Sequence, residues 1–212
     1  IVIAFKDYKM VKGIMGSKWI GFAHFKTLFS SPSFFEVMRN TILISIYRIV
    51  FGFPAPIILA LLLNEVRSTK YKKLVQTVSY LPHFMSWVGI GGIIKELLSP
   101  QRGIVNYIIQ LLGGKQIYFL IDPAWFRSIL IISGIWQGVG WGSIIYLATI
   151  AGIDIEMYEA AIIDGANRLK QALYITIPML YPVITVLLIL NIGNILNAGF
   201  DQIFNLYTPP VY

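Results

Sequence analysis

Cysteine is absent from the 212 residues, which removes disulfides, thiolate metal sites and cysteine nucleophiles together. Charge is scarce as well. Asp, Glu, Lys and Arg make up 13% of the chain, against about 25% in an ordinary soluble domain. Half the usual charge does not cover a water-exposed surface. Hydrophobic residues reach 57% and mean hydropathy is +0.71, values that exclude disorder as well as a single soluble domain. The charge that is present leans basic, 17 Lys and Arg against 10 Asp and Glu, and reads as a membrane-surface feature before a nucleic-acid footprint. The composition is that of an integral membrane protein.

Catalytic signatures are missing too. Gly89, Gly91 and Gly92, like Gly138, Gly140 and Gly142, form glycine-rich stretches, but neither leads into the Lys of a phosphate-binding loop. Any ATP must therefore be bound by another chain. His24 and His83 lie too far apart for a recognised metal pattern, so no metal site is expected. A Ser-His-Asp signature is also lacking, which makes a membrane hydrolase a poor reading.

Long apolar runs are what the chain has instead. Four segments are long enough to cross a bilayer, which takes about 20 residues: Thr41 to Leu63, Leu74 to Ile94, Ser128 to Ile153, and Gln171 to Phe200. Pro178 suits the first turn of a helix, so the spanning part of the fourth is expected from Pro178 to Gly199. The runs lack the alternation of barrel strands, and only helices satisfy their backbone within one segment in lipid. The expected fold is an all-α, polytopic helical membrane protein. Ile104, Ile108 and Leu111 predict a short amphipathic helix between Pro100 and Gly113-Gly114. The stub Ile1 to Phe5, with no basic leader or cleavage site, reads as the end of a helix lying before residue 1.

Loops 64–73 and 154–177 fall on one side of the membrane if consecutive spans alternate. The compact cluster Arg67, Lys70, Lys72 and Lys73 favours the cytoplasm for that side, but the other side carries more basic residues in all, with Lys6, Lys9, Lys12, Lys18, Lys26 and Arg39 in residues 1–40 alone. Charge alone gives a weak lean.

Residues 154–178 are the most informative. Asp154 is placed to cap a helix with Glu156 in its first turn, and Ile155, Tyr158 and Ile162 fall on one face. Gly165 suits the left-handed position after the helix, and Asn167 caps a second helix that runs into Pro178. Small residues Ala160, Ala161, Gly165 and Ala166 let a partner's backbone come close. On local physics this is also what an ordinary interhelical loop looks like.

The full string Glu159-Ala160-Ala161, Asp164-Gly165-Ala166, Ile175, Ile177-Pro178 resembles the cytoplasmic coupling loop of binding-protein-dependent ABC importer permeases. Ala172-Leu173 stand where that family often has an aromatic. Ala4 to Tyr8, Trp19 to Phe22, Phe25 to Phe29 and Asn40-Thr41 resemble the carbohydrate branch, most closely its lipo-oligosaccharide and polysaccharide permeases. The resemblance implies one permease domain over 1–212, cut at both ends, with two further spans outside it. It also implies a cytoplasmic 154–177 loop, with residues 6–40 and 99–125 outside. Glu159, Ala160, Ala161, Asp164, Gly165 and Ala166 are the implied ATPase-coupling residues. The implied partners are a second permease subunit, two ATPase subunits holding ATP and Mg, and an extracytoplasmic solute-binding protein, around a bilayer in a bacterial or archaeal plasma membrane. The expected cargo is an oligosaccharide. The alternatives are another polar solute, or a secondary transporter, which would need an inverted repeat and an intramembrane carboxylate.

Polar residues inside the spans complete the candidates. Arg48, about 12 Å into its span at 1.5 Å per residue, either faces the interior or snorkels to the interface. Asn191, Asn194 and Asn197 share a broad helical face, and serve either interhelical hydrogen bonds or a sugar pathway with Trp136, Gln137 and Trp141. Gly134, Gly138 and Gly142, at four-residue spacing, predict close helix packing.

Overall fold

The computed structural model describes residues 1–208, and they are overwhelmingly helical. Two compact units divide the chain, one of residues Ile1–Leu43 and one starting at Ile44. In the first, strands β1 (Lys6–Asp7) and β2 (Lys18–Trp19) pair antiparallel. Helix α1 (Ala23–Phe29) follows them. Phe5 stacks on Trp19 at 5.5 Å and meets Phe22 and Phe25 at 5.4 Å, so aromatics from the carbohydrate-branch pattern form one cluster.

Helix α2 runs over Pro32–Glu65, well beyond the expected Thr41 to Leu63, and so takes up residues 32–40, which read as part of a polar stretch. It accommodates Pro54 and Pro56 by widening at Arg48–Gly52, where Phe53 N–H reaches back five residues to Arg48 O at 3.0 Å. A proline has no N–H and its ring crowds the carbonyl four residues back, and one π turn relieves that crowding without ending the helix.

The expected second span is not one helix. It breaks into α3 (Thr69–Tyr80) and α4 (Trp87–Leu97) around a 3₁₀ turn, Leu81–Phe84. Pro82 cannot continue the ladder, and Ser86 caps the new helix by accepting from Gly89 N–H. The pair still follows the long helix α6 (Pro123–Ala151) from end to end. Lys72 and Gln76 flank one groove with Ala148 and Ala151, the Ser79 carbonyl lies against Gly140, and Ile90 and Ile94 pack with Phe126 and Leu130. At 1.5 Å per residue α6 is about 43 Å long, so the broken run covers the height of a span. Three unbroken helices among the described residues are long and apolar enough to cross a membrane.

Between them, α5 (Ile104–Leu111) forms where its apolar spacing predicts, started by Gly103 and stopped at Gly113. Asn106, in its first turn, is buried. Its Nδ2 reaches the carbonyls of Leu98, Ser99 and Ile117, and its Oδ1 accepts from Ile117 N–H at 2.8 Å, so one side chain fastens the loop at both ends. After α7 (Ile155–Ile163), helix α8 spans Arg168–Gly193 and α9 covers Phe200–Leu206. The helix opens after Asn167 as its cap predicts, and a second π turn, Ala172–Thr176, carries it through Pro178, so the capped helix and the expected span are one element. The expected end at Gly199 is also corrected: the helix stops at Gly193 and a turn leads into α9.

Two apolar cores hold the second unit together. Ala60, Tyr146, Ile150 and Leu180 join α2, α6 and α8. Ile44, Ile90, Ile94, Phe126, Leu130 and Leu206 join α2, α4, α6 and α9. Outside them the spans stay bare: only 11% of the apolar window of α8 is buried. A helix with mean hydropathy 2.2 and so little cover is a helix for lipid or for another membrane chain.

Candidate functional site

The helix–turn–helix between α6 and α8 is built by its own caps. Asp154 Oδ1 accepts from Glu156 N–H at 3.0 Å and starts α7. At the other end Ala166 N–H bonds Ala161 O at 2.8 Å and Gly165 N–H bonds Ile162 O at 3.0 Å, the paired bonds of a Schellman motif. Gly165 takes φ +78°, a left-handed backbone that glycine adopts without strain. Asn167 Oδ1 then accepts from Lys170 N–H at 2.9 Å to open α8, and Gln171 Nε2 donates to Ala166 O.

Glu159, Ala160, Asp164 and Gly165 are exposed, while Ala161 and Ala166 are half-buried under the motif. A Cβ on Gly165 would touch nothing within 4 Å in this chain, so steric obstruction there concerns only another chain. The expected Ile155–Tyr158–Ile162 face splits in two. Tyr158 turns inward and shares a 2.9 Å hydrogen bond with Thr176 Oγ1, whereas Ile155 and Ile162 are 68% and 60% exposed. Ile163, at 86%, extends this uncovered apolar surface beside the acidic residues.

Two contacts tie the motif to the spans. One is Tyr158–Thr176, into the π turn of α8. The other is an ion pair of 2.8 Å from Arg168 at the start of α8 to Glu65, the last residue of α2. It puts loops 64–73 and 154–177 at one end of the helices. Sequence reading missed the pair, although opposite charges in two loops assigned to one side were a usable signal.

The second polar place is a cavity of about 440 Å³ among α2, α4, α6, α8 and the turn before α9. Arg48, the first residue of the π turn in α2, lines it, which decides for the interior over snorkelling. Its guanidinium donates to Gln202 Oε1. Gln202 is 1% exposed, and its Nε2 donates to Leu130 O at 2.7 Å and Ser133 Oγ at 2.8 Å. Gly199, at φ +77°, leaves room for the guanidinium, since a Cβ there would lie 2.9 Å from Arg48 Cζ.

The expected pathway residues divide. Gln137 and Asn191 line the cavity. Trp136 lies in a separate apolar groove with Val78 and Pro82, and Trp141 stacks on His83 at 4.6 Å. Asn194 and Asn197 leave the expected helical face because α8 has already ended. Asn194 Nδ2 bonds Leu190 O and Asn197 Oδ1 accepts from Gly199 N–H, both local bonds. The glycine stripe is likewise mixed: Gly142 lies close against Pro56, but Gly138 faces open cavity. The tight crossing is at Gly140, two residues and so about 200° round the helix from the expected row. Gln202, Gly199 and Tyr146 belong to the cavity and were not foreseen, the first two because α9 was not expected.

Residues 52–200 match the binding-protein-dependent transport system inner membrane component family. The chain belongs to that family. Its matched region runs from the π turn of α2 to the start of α9 and so contains the motif and most of the cavity wall. The chain is 48% identical over 204 residues to the polygalacturonan/rhamnogalacturonan transport system permease protein YteP of Bacillus subtilis strain 168, covering 96% of this chain and 64% of that protein. It thus spans less than two thirds of that relative's length. Two solved structures superpose closely. One, a bacterial ABC transporter involved in the import of the acidic polysaccharide alginate, has TM-score 0.91 and 45% identity over 99% of this chain and 70% of that one. The other, a bacterial alginate ABC transporter in complex with an alginate pentasaccharide-bound periplasmic protein, has TM-score 0.88 and 47% identity over 91% of this chain and 67% of that one.

Proposed function

We propose that this chain is the permease subunit of an ATP-driven ABC importer that takes up an oligosaccharide delivered by a solute-binding protein. The observation that carries the reading is the capped 154–171 motif, in register with the family's coupling loop and joined by side-chain contacts to two spans. A second permease subunit completes the pathway, and two ATPase subunits hold ATP and Mg. The names of its relatives favour a saccharide over other polar cargo.

Closure of the ATPase pair pushes on the exposed Glu159–Ala160 and Asp164–Gly165 surface, where Ile162 and Ile163 supply apolar contact. The Schellman turn keeps α7 from folding away under load. Asn167 starts α8 without slack, so the push enters α8 directly and reaches α2 through Arg168–Glu65. Those two helices carry Asn191 and Arg48, which both line the cavity. Rotating α8 against α2 changes that cavity's shape, and alternating access follows when the second permease does the same.

Capture of the ATPase by the full-length protein tests the reading. Wild type is expected to retain the ATPase, and the double variant Asp164→Lys/Gly165→Val is expected to lose at least about 90% of it, a deficit equivalent to roughly 1.4 kcal/mol of binding or more. Equal capture by a folded variant would reduce residues 154–177 to a loop.

A further inference from the structure

We infer that the groove between α3 and α6, at the end of the spans that carries the 154–177 motif, is a binding site for an anionic phospholipid, with Lys72 holding its phosphate. The site requires that the chain lie in a membrane and is independent of the transport reading.

Charge at this end of the helices goes unanswered. Residues 64–73 hold Arg67, Lys70, Lys72 and Lys73 against a single acid, Glu65, and Glu65 is committed to Arg168 at 2.8 Å. None of the four cations has an ion-pair partner among the described residues. Their placement does not serve the helix, since Lys70 and Lys72 stand near the start of α3 with no acid in its first turn, against the helix dipole. A basic cluster beside a span attracts anionic headgroups. It also orients a chain in the membrane, and charge alone does not separate the two roles.

The groove separates them. Lys70 and Lys73 are exposed, whereas Lys72 is half-buried in a cavity of about 340 Å³. One wall of that cavity is polar, with Asn64 at the end of α2 and Lys72, Gln76 and Tyr80 at four-residue spacing along α3. Among the described residues, no hydrogen bond or ion pair engages any of these four side chains. The facing wall, on α6, is apolar: Ile144 and Leu147 supply hydrocarbon surface, and Ala148 and Ala151 project only a methyl group each and keep the groove open. From Lys72 to Tyr80 the polar wall runs about 12 Å at 1.5 Å per residue.

A polar wall facing an apolar one suits an amphiphile. A helix from another chain would bury Lys72 without a counter-charge, which is costly. Free phosphate would use the lysine and leave the apolar wall wet. A phospholipid satisfies both walls: its phosphate takes the ammonium, its glycerol and ester oxygens accept from the Asn64 and Gln76 amides, and its acyl chain covers Ile144 and Leu147.

Native mass spectrometry of the assembled transporter tests the site, after release into a neutral detergent from nanodiscs of equal phosphatidylglycerol and phosphatidylcholine. Wild type is expected to retain phosphatidylglycerol in preference, and equal retention of the two lipids would overturn the inference. Lys72→Gln is expected to lower phosphatidylglycerol retention about fivefold, the worth of one lysine at an anionic surface. Ala148→Leu keeps every charge but fills the groove, and should lower it comparably. Lys70→Gln, outside the groove, should change it little. A loss as large in Lys70→Gln as in Lys72→Gln would reduce the cluster to diffuse attraction and overturn the inference. Retention unchanged in Lys72→Gln or in Ala148→Leu would overturn it as well. So would release of the lipid by glycerol 3-phosphate, which carries the phosphate without acyl chains and would mark a site for a soluble anion.

Discussion

Single side chains decide most of what is distinctive here, and each acts by satisfying backbone that would otherwise be left bare. Asn106 is the clearest case, since four bonds to residues 98, 99 and 117 depend on one amide. Asn106→Ala should cost about 2 kcal/mol, because buried peptide groups lose their partners and gain no water. Faster proteolysis of the 98–122 segment in the purified complex would register that loss, and an unchanged cleavage rate would refute it. Caps were legible for the same reason. Asp154, Gly165 and Asn167 act through bonds within four residues, so their types and spacing suffice to place them. Arg48 was only half legible. Its charge marked it as consequential, but the partner that decides its direction, Gln202, lies 154 positions away.

Elements were readable by length and apolarity, and misread where proline was involved. Proline in a helical pattern usually signals a boundary, which placed the expected start of the spanning part at Pro178, after a separate helix capped by Asn167. In this chain two prolines are absorbed by π turns, at Arg48–Gly52 before Pro54 and at Ala172–Thr176 before Pro178. Pro82 does break its helix, because the chain there turns through a 3₁₀ segment and Ser86 offers a new cap. The Glu65–Arg168 pair also belongs to this scale. With side chains 40% and 57% exposed, respectively, it should contribute about 0.5 kcal/mol to stability. Its predicted role lies in tying α2 to α8. Glu65→Arg alone should slow ATP-driven uptake severalfold with little change in thermal stability, and Glu65→Arg/Arg168→Glu should restore it. Uptake that ignores both variants would remove this link from the mechanism.

At the scale of the molecule, membrane residence and family were legible early: composition is a bulk property, and the 159–178 string is local. The cavity was not, because its walls come from five separated segments and one of them, α9, follows an unexpected helix end. The bare faces of α8 and α2 leave room for lipid and a second membrane chain. The uncovered Ile155, Ile162 and Ile163 lie at the end that the importer account assigns to the ATPase. The absence of cysteine from these residues allows that assignment to be tested directly. A single cysteine replacing Asp164 in the assembled transporter, treated with a short bifunctional thiol–amine reagent, is predicted to yield an adduct with the ATPase subunit. A single cysteine replacing Lys115, in the loop expected on the opposite side, should yield none. An adduct from position 115 and none from position 164 would contradict the account at its centre.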